Sequence, residues 1–515
     1  MITSANVREL TFHPLSRPTS TPGLHVLVDL SVLHPHGENG GLKQYLLELL
    51  RYLGTNVSEP IRFTYLVSPL FHPQLRALWR PRDRIVSIRP VGDALGDLPG
   101  TWRTGDHLLA PAPLDLALQI AADVVYAPML SLEFGCPGVP MVALIPDLLH
   151  RDMPDSCGAE ESARREAHFA EIAQVANRIQ CISRFTADRL HHHYPASRGR
   201  TFFTHLAVHD RWGDIEKRPV GLSDGPYFFY PANAWIHKNH SRLLAAYRAY
   251  RGIAVSPPWS LVLTGHMDPG MKRVLRTAQS LGIGDFVKYI GYLSASEMAY
   301  VWRHAGALVF PSRYEGFGMP LTEAMHYGVP IVCNGEGAVP EVVDDAALQI
   351  NANEAGELAQ AMDRIATDPE LRTVLAERGR RRVGSFSIAK DGDALLEALI
   401  SAAGEPAQPY CRGIGRDGRV DRQFVAGLPD CGQTRVVEMV LSSKRPSRIS
   451  LFQDLQPLGS FPIAEGERLP LTCLVGPQTH SLVGWTRPED GIKIHRIGAR
   501  IRSAGPEIQA IFEAA

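Results

Sequence analysis

The stretch SRYEGFGMPLTEAMHYGVP, residues 312–330, joins two carboxylates, Glu315 and Glu323, through a glycine-containing apolar loop. Proline suits the first position of a helix because its missing N–H would be unpaired there, and glycine suits the left-handed residue just past a helix end. Pro320 and Gly328 therefore predict a short helix between them, with Glu323 in its first turn. Because glycines before the helix let the backbone approach a ligand closely, the stretch predicts a binding loop at a helix start.

Outside this stretch, short β-branched or apolar runs alternate with helical runs over most of the chain. LHVLVDLSVL, which begins at Leu24, is followed by GLKQYLLELLRYL, and a second series of the same kind starts at Gly225 and ends near Gly404. This rhythm predicts βαβ units and parallel sheets covered on both faces. Two such α/β domains in tandem imply a cleft faced by the carboxyl ends of both sheets, which is where ligands of these sheets bind.

Composition and spacing divide the chain into six predicted segments. They are an N-terminal extension (1–23), an N-terminal Rossmann-like domain (24–205), a C-terminal Rossmann-like domain (206–385), a closing helix (386–404), a linker (405–430) and a β-rich accessory domain (431–515). The linker is rich in Pro, Gly and Arg, and short strands at turn-bounded spacing follow it. For the β-rich part, oligomerisation or packing against the core is favoured over carbohydrate binding, for which only Trp485 argues.

The overall charge and the cysteine pattern exclude several classes of protein. The 515 residues carry a formal net charge of -1, which gives no electrostatic case for nucleic acid. The N-terminus lacks a secretory signal pattern and no window reaches the ~18 apolar residues of a membrane span, so a cytoplasmic location is the expectation. The 7 cysteines are scattered without a CxxC pair, which disfavours a disulfide framework and a structural zinc site.

A basic run near residue 80 leaves peripheral membrane contact open. The run is LRALWRPRDRIVSIR, and it combines Trp79 with Arg76, Arg80, Arg82, Arg84 and Arg89. A lipid-facing surface at the inner face of the cell membrane is one interpretation. A solvated basic face is the more frequent meaning of such a run.

Two carboxylates in one loop favour a neutral, hydroxyl-rich partner. A phosphate between Glu315 and Glu323 would be repelled, whereas each carboxylate can accept hydrogen bonds from the vicinal hydroxyls of a sugar or a ribose. Taken singly, Glu323 could be an acid that complements the helix dipole and Glu315 a solvated loop residue.

A diphosphate would need cations or unpaired N–H groups elsewhere, and two turns offer them. PANAWIHKNH follows a predicted strand and sets Lys238 at the start of a helix, and PHGENGGLKQY sets Gly40 and Gly41 before another. A strand, a turn and a helix start present backbone N–H groups to anions. Each motif alone is weak, since a lysine at a helix start is usually solvated and a Gly-Gly pair is usually only a turn.

Together these motifs resemble a known family. The segment E-G-F-G-x-P-x-x-E from Glu315 to Glu323 is similar to the E-x7-E signature of the retaining glycosyltransferase family 4, and the resemblance extends through GGLKQY, IPDLLHRDMP, ISRFTADRL, PANAWIHKNH and LVLTGHMD, over about residues 24–404. It implies an α/β chain of the GT-B fold, with two Rossmann-like doubly wound domains facing a cleft, to which this chain adds a small C-terminal all-β domain.

The resemblance also implies roles for single residues. Glu315 would contact the donor sugar near the anomeric centre, Glu323 the ribose, and Lys238 the diphosphate. Backbone N–H groups would hold the sugar and the phosphates, at Phe317, Gly318, Met319, Gly40 and Gly41, and the base would lie near residues 289–293. The first domain would then be the acceptor side.

The sequence departs from the family pattern at two positions. Pro146 stands where many members have a histidine before Asp147, so Asp147 is a candidate acceptor-side base and His150, a candidate substrate contact, could face the same cleft or be structural. Asn233, also a candidate substrate contact, replaces a second cation, which His237, His240 or Arg242 could replace in function.

No metal or cofactor is expected. Asp391 and Asp393 form a D-x-D string at the start of the last long helix, where an acidic cap is the simpler explanation. The three histidines 191–193 end a helix, where imidazoles are favourable without a metal. Helix N-termini and Lys238 would then stabilise the leaving diphosphate.

The predicted activity is transfer of a hexosyl group, mannosyl-like or related, from a GDP- or UDP-sugar to a hydroxyl of a glycan or lipid-linked acceptor, with retained configuration, in cell-surface polysaccharide or lipopolysaccharide assembly. A glycosidase with Glu315 and Glu323 as acid and nucleophile would leave the anion-binding turns unexplained. A non-catalytic nucleotide-sugar-binding or scaffold protein on a degenerate GT-B fold is the alternative. Residue types do not define the donor base, the sugar, the acceptor or the linkage.

Overall fold

The structure is a computed structural model in which thirteen stretches of the chain are described. They are residues 23–33, 40–57, 60–68, 71–75, 78–88, 107–109, 114–129, 134–207, 212–222, 224–429, 431–487, 490–501 and 509–514. Residues 1–22 of the predicted extension and the residues between these stretches lie outside the description.

An eight-stranded parallel sheet forms the first domain, in the order β4-β3-β2-β1-β5-β6-β7-β8. Its strands are β1 (Leu24–Leu30), β2 (Ile61–Val67), β3 (Arg84–Ile88), β4 (His107–Leu109), β5 (Val124–Ala127), β6 (Met141–Ile145), β7 (Arg178–Cys181) and β8 (Thr201–Phe203). Its helices are α1 (Gly40–Thr55), α2 (His72–Leu75), α3 (Leu116–Gln119), α4 (Leu149–Asp152), α5 (Ala159–Val175) and α6 (Arg184–His193). The central strands are apolar and buried over their whole length, as expected of a parallel sheet covered on both faces.

A six-stranded parallel sheet, β11-β10-β9-β12-β13-β14, forms the second domain. Its strands are β9 (Tyr227–Pro231), β10 (Ser260–Thr264), β11 (Val287–Tyr289), β12 (Ala307–Phe310), β13 (Ile331–Asn334) and β14 (Ala347–Ile350). Its helices are α7 (His240–Ile253), α8 (Pro269–Ser280), α9 (Ala295–His304), α10 (Met319–Tyr327), α11 (Val339–Val343), α12 (Ala355–Thr367) and α13 (Pro369–Val383), and α14 (Ile388–Ala403) follows. The prediction of two doubly wound α/β domains is confirmed.

Helix α14 returns to the first domain and packs on α1. Tyr52 Oη donates to Asp393 Oδ1 at 2.9 Å, and a Cβ at residue 392 would lie 2.2 Å from the ring of Tyr52, so only glycine allows this approach. Asp391 lies in the first turn of α14, and its Oδ1 accepts from the backbone N–H of His205 at 3.0 Å. The helix begins at Ile388 with Ser387 as its N-cap, so the D-x-D string does not form the acidic cap that was expected; its carboxylates tie the helix to the first domain.

Two antiparallel sheets form a β-sandwich at the C-terminal end. They are ordered β15-β16-β21-β18-β19 and β20-β17-β22-β23, and their buried apolar side chains share one core. The strands are β15 (Cys411–Ile414), β16 (Val420–Gly427), β17 (Arg435–Ser442), β18 (Ser447–Gln453), β19 (Gln456–Ile463), β20 (Arg468–Val475), β21 (Ser481–Trp485), β22 (Lys493–Ile501) and β23 (Gln509–Glu513). The predicted all-β domain is confirmed.

The linker predicted over 405–430 is wrong, because strands β15 and β16 lie within it. Its glycines serve a hairpin: Gly413 and Gly418 have φ of 77° and 84°, a left-handed conformation that other residues rarely adopt. A composition typical of linkers is thus also that of a tight hairpin in this chain.

The hairpin docks the sandwich on the first domain. Arg412 Nη2 lies 2.8 Å from Glu171 Oε1 on α5, and the backbone N–H of Leu114 donates to Gln423 Oε1 at 2.9 Å. Tyr410 is buried with the core of the first domain. Packing against the core, one of the two favoured interpretations of this module, is therefore observed; oligomerisation stays a prediction.

The basic run near residue 80 is partly engaged inside the first domain. Arg80 donates two hydrogen bonds of 2.7 Å to the carboxylate of Asp83, and its guanidinium lies 5.2 Å from the ring centre of Phe63. Arg76 and Arg89 lie outside the described residues. Among the described helices, none is both long and apolar enough to cross a membrane.

Candidate functional site

A cavity of about 360 Å³ lies between the two α/β domains. The first domain contributes Asp147, Leu149, Ser156, Cys157, Gly158, Glu161 and Arg165, and the second contributes Trp235, His237, Lys238, Tyr314, Glu315 and Gly316. The second set comes from the loops after β9 and β12, which are carboxyl ends of parallel strands, as the sequence predicted. Among the residues predicted as functional, Asp147, Lys238 and Glu315 meet here.

The loop before α10 approaches the first domain at Gly316. A Cβ at this position would lie 2.1 Å from the carbonyl oxygen of Pro146, so a side chain cannot be accommodated. Thr186 Oγ1 lies 3.3 Å from both that carbonyl and the carbonyl of Gly316. The backbone carbonyl of Pro146 thus packs against the loop that contains Gly316.

Glu315 and Lys238 form an ion pair on the cavity wall. Lys238 Nζ lies 2.7 Å from Glu315 Oε1, and the two side chains are only 15% and 11% exposed. The sequence assigned them to different parts of a ligand, the diphosphate and the sugar; here each neutralises the other. The pair holds both groups at one place, with Lys238 on a 3-10 turn that ends at the left-handed Asn239.

Glu323 does not line the cavity. Helix α10 begins at Met319, one residue earlier than predicted, and it has no acidic residue in its first turn, so the first-turn assignment of Glu323 is wrong. Its carboxylate is 1% exposed, and Oε2 accepts from the indole N–H groups of Trp302 and Trp212 at 3.1 and 3.2 Å. The two carboxylates therefore lie in different surroundings although one loop joins them.

The start of α1 meets the start of α10 across the domain boundary. A Cβ on Gly41 would lie 2.0 Å from Met319 Sδ, so a larger residue here would have to displace the Met319 side chain. Gly40 begins α1 with φ of 59°, and Gly318 precedes α10 with φ of 100°. The Gly-Gly turn therefore lies against the 317–319 segment, in which the Phe317 and Met319 side chains are buried; the ligand contacts expected of these backbone groups stay predictions.

Asp147 is engaged by a neighbouring guanidinium. Its Oδ1 accepts from Arg165 Nη1 at 2.8 Å and from the backbone N–H of Leu149 at 2.9 Å. Arg165 also donates from Nε to Glu161 at 2.8 Å. The candidate base Asp147 is therefore paired with Arg165 on the first-domain wall. No sequence pattern predicted this ion pair.

His150 and Asn233 are not brought to the cavity wall. His150 packs edge-on against Phe169 with ring centres 5.0 Å apart, and burial lowers the pKa of its imidazole. Asn233 Oδ1 accepts from the backbone N–H of His266 at 3.0 Å, joining two loops of the second domain. Both side chains have structural contacts in place of the substrate contacts expected for them.

Direct contacts between the domains surround the cavity. Tyr314 Oη donates to Asp152 Oδ2 at 2.9 Å and accepts from the backbone N–H of Leu148 at 3.1 Å. Glu341 accepts from the first two N–H groups of α6, at Arg184 and Phe185, at 2.8 and 2.9 Å. A carboxylate of the second domain therefore caps a helix of the first, and its charge complements the helix dipole.

The comparisons with known proteins cover parts of the chain. Residues 214–382 match the family model described as glycosyl transferases group 1. The chain is 35% identical over 102 aligned residues to O-antigen chain mannosyltransferase B of Escherichia coli, and this alignment covers 20% of this chain and 27% of that one. It is 31% identical over 147 residues to D-inositol 3-phosphate glycosyltransferase of Saccharomonospora viridis, covering 28% and 34%. The chain thus spans about a third or less of the length of these curated relatives.

Solved structures resemble the chain over both α/β domains. Sucrose-phosphate synthase of Thermosynechococcus elongatus has a TM-score of 0.52 and 17% identity, over 74% of this chain and 100% of that one. Alr3699/HepE of Anabaena, solved with UDP and glucose, has a TM-score of 0.54 and 17% identity, over 73% and 100%. The chain has the GT-B fold.

In the GT-B cleft, sequence reasoning missed several of the wall residues. Trp235 lies within the motif that drew attention to Lys238, so its position in the loop after β9 was a usable signal, whereas His237, considered as a substitute for a second cation, does line the cavity. Glu161 and Arg165 lie in α5, whose sequence is an ordinary charged helix; only the packing of the domains brings them to the cavity. Among the described residues, no group of three or more metal-ligating side chains is clustered.

Proposed function

We propose that the chain is a glycosyltransferase that moves a hexosyl group from a nucleotide diphosphate sugar to an acceptor hydroxyl and retains the anomeric configuration. The Glu315–Lys238 pair carries the proposal, because it joins a carboxylate and an ammonium on the wall of a GT-B cleft, at the loop that carries the E-x7-E pattern. The match of residues 214–382 to glycosyl transferases group 1 supports it, since both residues lie in that segment.

The reaction requires this cavity wall to stabilise both the leaving diphosphate and the reacting sugar. The acceptor oxygen forms a bond to the anomeric carbon as the bond from that carbon to the diphosphate oxygen breaks, the electron pair leaves with the nucleoside diphosphate, and the acceptor proton passes to the departing phosphate. Lys238 would stabilise the charge growing on the diphosphate, and Glu315 would hold sugar hydroxyls near the oxocarbenium-like carbon. Donor binding would therefore replace the ion pair by one contact for each partner.

The remaining assignments rest on the same cleft. The 317–319 segment and the Gly40–Gly41 turn would border the donor from opposite domains, in line with the contact between Gly41 and Met319. We propose a GDP- or UDP-sugar donor without a metal or other cofactor, and a mannosyl-like group in surface polysaccharide or lipopolysaccharide assembly. The names of the mannosyltransferase relative and of the UDP-bound Anabaena protein support this class.

Glu323 has a different place in this proposal than its sequence position implied. Enclosed by Trp302 and Trp212, its carboxylate would fix the start of α10 and thereby the loop that carries Glu315.

Incubation of the purified protein with GDP- and UDP-sugars, a glycoside acceptor and no added metal tests the proposal. We expect release of nucleoside diphosphate from one donor, and a product whose anomeric proton shows the donor's configuration by NMR. Inverted product would contradict retention. Absence of release with every donor, together with tight nucleotide binding, would instead favour a non-catalytic nucleotide-sugar-binding protein.

A further inference from the structure

An exposed indole stands on the cavity wall opposite the first domain. Trp235 follows β9 and is 55% exposed, although it lines a cavity whose far wall includes Gly158, Glu161 and Arg165 of the first domain. Large aromatic side chains usually bury most of their surface in a folded protein. An indole left open inside a cleft offers a flat apolar face to a ligand.

The charged groups around the indole are paired with one another. Arg165 donates to both Asp147 and Glu161 on the first-domain wall, at 2.8 Å each, and Lys238 pairs with Glu315 on the other wall. Glu161 also accepts from Arg164 Nη2 at 2.9 Å, so the three carboxylates are matched by three cations. The lining is therefore close to neutral and offers fixed donors and acceptors to hydroxyl groups.

A buried imidazole adds one more polar group that can form a further hydrogen bond. His237 lines the cavity and is 6% exposed, and its Nδ1 has no hydrogen-bond partner among the described residues. Burial and the neighbouring Lys238 lower the pKa of His237 to about 3, so the ring is neutral at pH 7. A neutral imidazole can donate from one nitrogen and accept at the other.

We propose that the side of the cavity bounded by Trp235, His237 and the Glu161–Arg165 pair is the acceptor subsite, and that it takes an uncharged pyranose ring. The inference rests on the proposed transferase function, which it extends to the substrate class of the acceptor. A pyranose presents an apolar C–H face, which suits the indole, and a rim of hydroxyls, which suits the paired charges. The acceptor group is then the terminal sugar of a glycan, with its attacking hydroxyl directed toward Glu315.

Uncharged monosaccharide glycosides test this subsite without knowledge of the natural acceptor. Methyl α-D-mannopyranoside and methyl α-D-glucopyranoside would be titrated by saturation-transfer NMR, and inorganic phosphate would then be added as a competitor. We expect at least one glycoside to bind, Trp235→Ala to weaken it about tenfold, the upper range of an aromatic contact, and Trp235→Phe to weaken it less. Trp79→Ala, which removes an exposed indole outside the cavity wall, should leave binding unchanged.

A second readout separates this inference from the proposed function. UDP and GDP would be tested for a rise in Tm of the wild type and of Trp235→Ala. A nucleotide response in both proteins with no glycoside binding, with glycoside binding that is unchanged in Trp235→Ala, or with displacement of the glycoside by inorganic phosphate would overturn the subsite. Glycoside binding that needs Trp235 in a protein that no nucleotide stabilises would uphold a sugar site and overturn the transferase.

Discussion

At the scale of residues, the two carboxylates of one loop have different partners: Glu315 pairs with Lys238, and Glu323 accepts from the indoles of Trp302 and Trp212. Glu315 and Lys238 could be singled out because a carboxylate after a strand and a lysine at a helix start have recognisable spacing. Their mutual contact could not, since it joins positions 77 residues apart. Glu323 shows the same limit, because no local pattern pairs it with Trp302 or Trp212.

Glu315→Gln is expected to slow turnover more than it weakens donor binding. The neutral amide can still meet hydroxyls, but it no longer stabilises a positive anomeric centre, so kcat should fall about 100-fold or more, with KM for the donor changed severalfold at most. Steady-state release of nucleoside diphosphate measures both. Glu315→Asp is the matched control that keeps the charge; an equal loss confined to KM in both variants would refute the assignment.

Glu323→Ala is expected to destabilise the fold. It leaves two indole N–H donors without their carboxylate, and hydrogen bonds to charged groups contribute about 1.5–3 kcal/mol each. Tm should fall by several degrees, and Glu323→Gln should fall less because it keeps an acceptor oxygen. An unchanged Tm with a large rise in donor KM would show that Glu323 acts on the ribose directly.

At the scale of elements, strand and helix periodicity predicted both α/β sheets, because their strands are short, apolar and punctuated by turn residues. The sequence predicts a linker where β15 and β16 form a hairpin, because glycines such as Gly413 and Gly418 are common both in tight turns and in flexible segments. The return of α14 to the first domain was beyond local sequence, since it depends on the contact of Gly392 with Tyr52.

Asp391 makes the docking of α14 dependent on pH. Burial raises the pKa of Asp391 to about 6 from 3.8, so the folded chain holds a proton that the unfolded chain has lost between about pH 4 and pH 6. Stability therefore falls as the pH rises from about 4 to about 6, by about 3 kcal/mol in all, and changes no further above pH 6. Asp391→Asn, which keeps an acceptor for the His205 N–H, should be more stable than the wild type at pH 8.

The difference in unfolding free energy between Asp391→Asn and the wild type should shrink as the pH falls from 6 to 4, which denaturant titrations at each pH would measure. Asp393→Asn, two residues further along α14 and bonded to Tyr52, is the control. A constant difference across that pH range would contradict the account.

At the scale of the whole molecule, the order of motifs predicted the GT-B architecture. The position of the β-sandwich against the first domain could not be predicted from the sequence. Its hairpin packs on α5, the helix that also supplies Glu161 and Arg165 to the cavity. The sandwich therefore supports the outer side of a helix that forms one wall of the cleft.

Reversal of one charge in this contact tests the support. Arg412→Glu should weaken the docking by bringing two carboxylates together, and Glu171→Arg in the same chain should restore it. For a partly exposed pair, we expect Arg412→Glu to reduce the free energy of docking by about 1 kcal/mol or less. Limited proteolysis of the sandwich should be faster in this variant and should return to the wild-type rate in the double variant. Equal proteolysis of all three proteins would show that the pair contributes nothing to docking.

Calorimetric titration with UDP and GDP tests most directly the central claim, that the wall carrying Lys238 and Glu315 is the donor site. We predict that the wild type binds one of the two nucleotides, that Lys238→Met binds it at least tenfold more weakly because charge-assisted hydrogen bonds to the diphosphate are lost, and that Lys238→Arg recovers part of the affinity. Lys272→Met, at an exposed position of α8, should bind as the wild type does. Equal affinity in Lys238→Met, or no binding of either nucleotide by the wild type, would contradict the account.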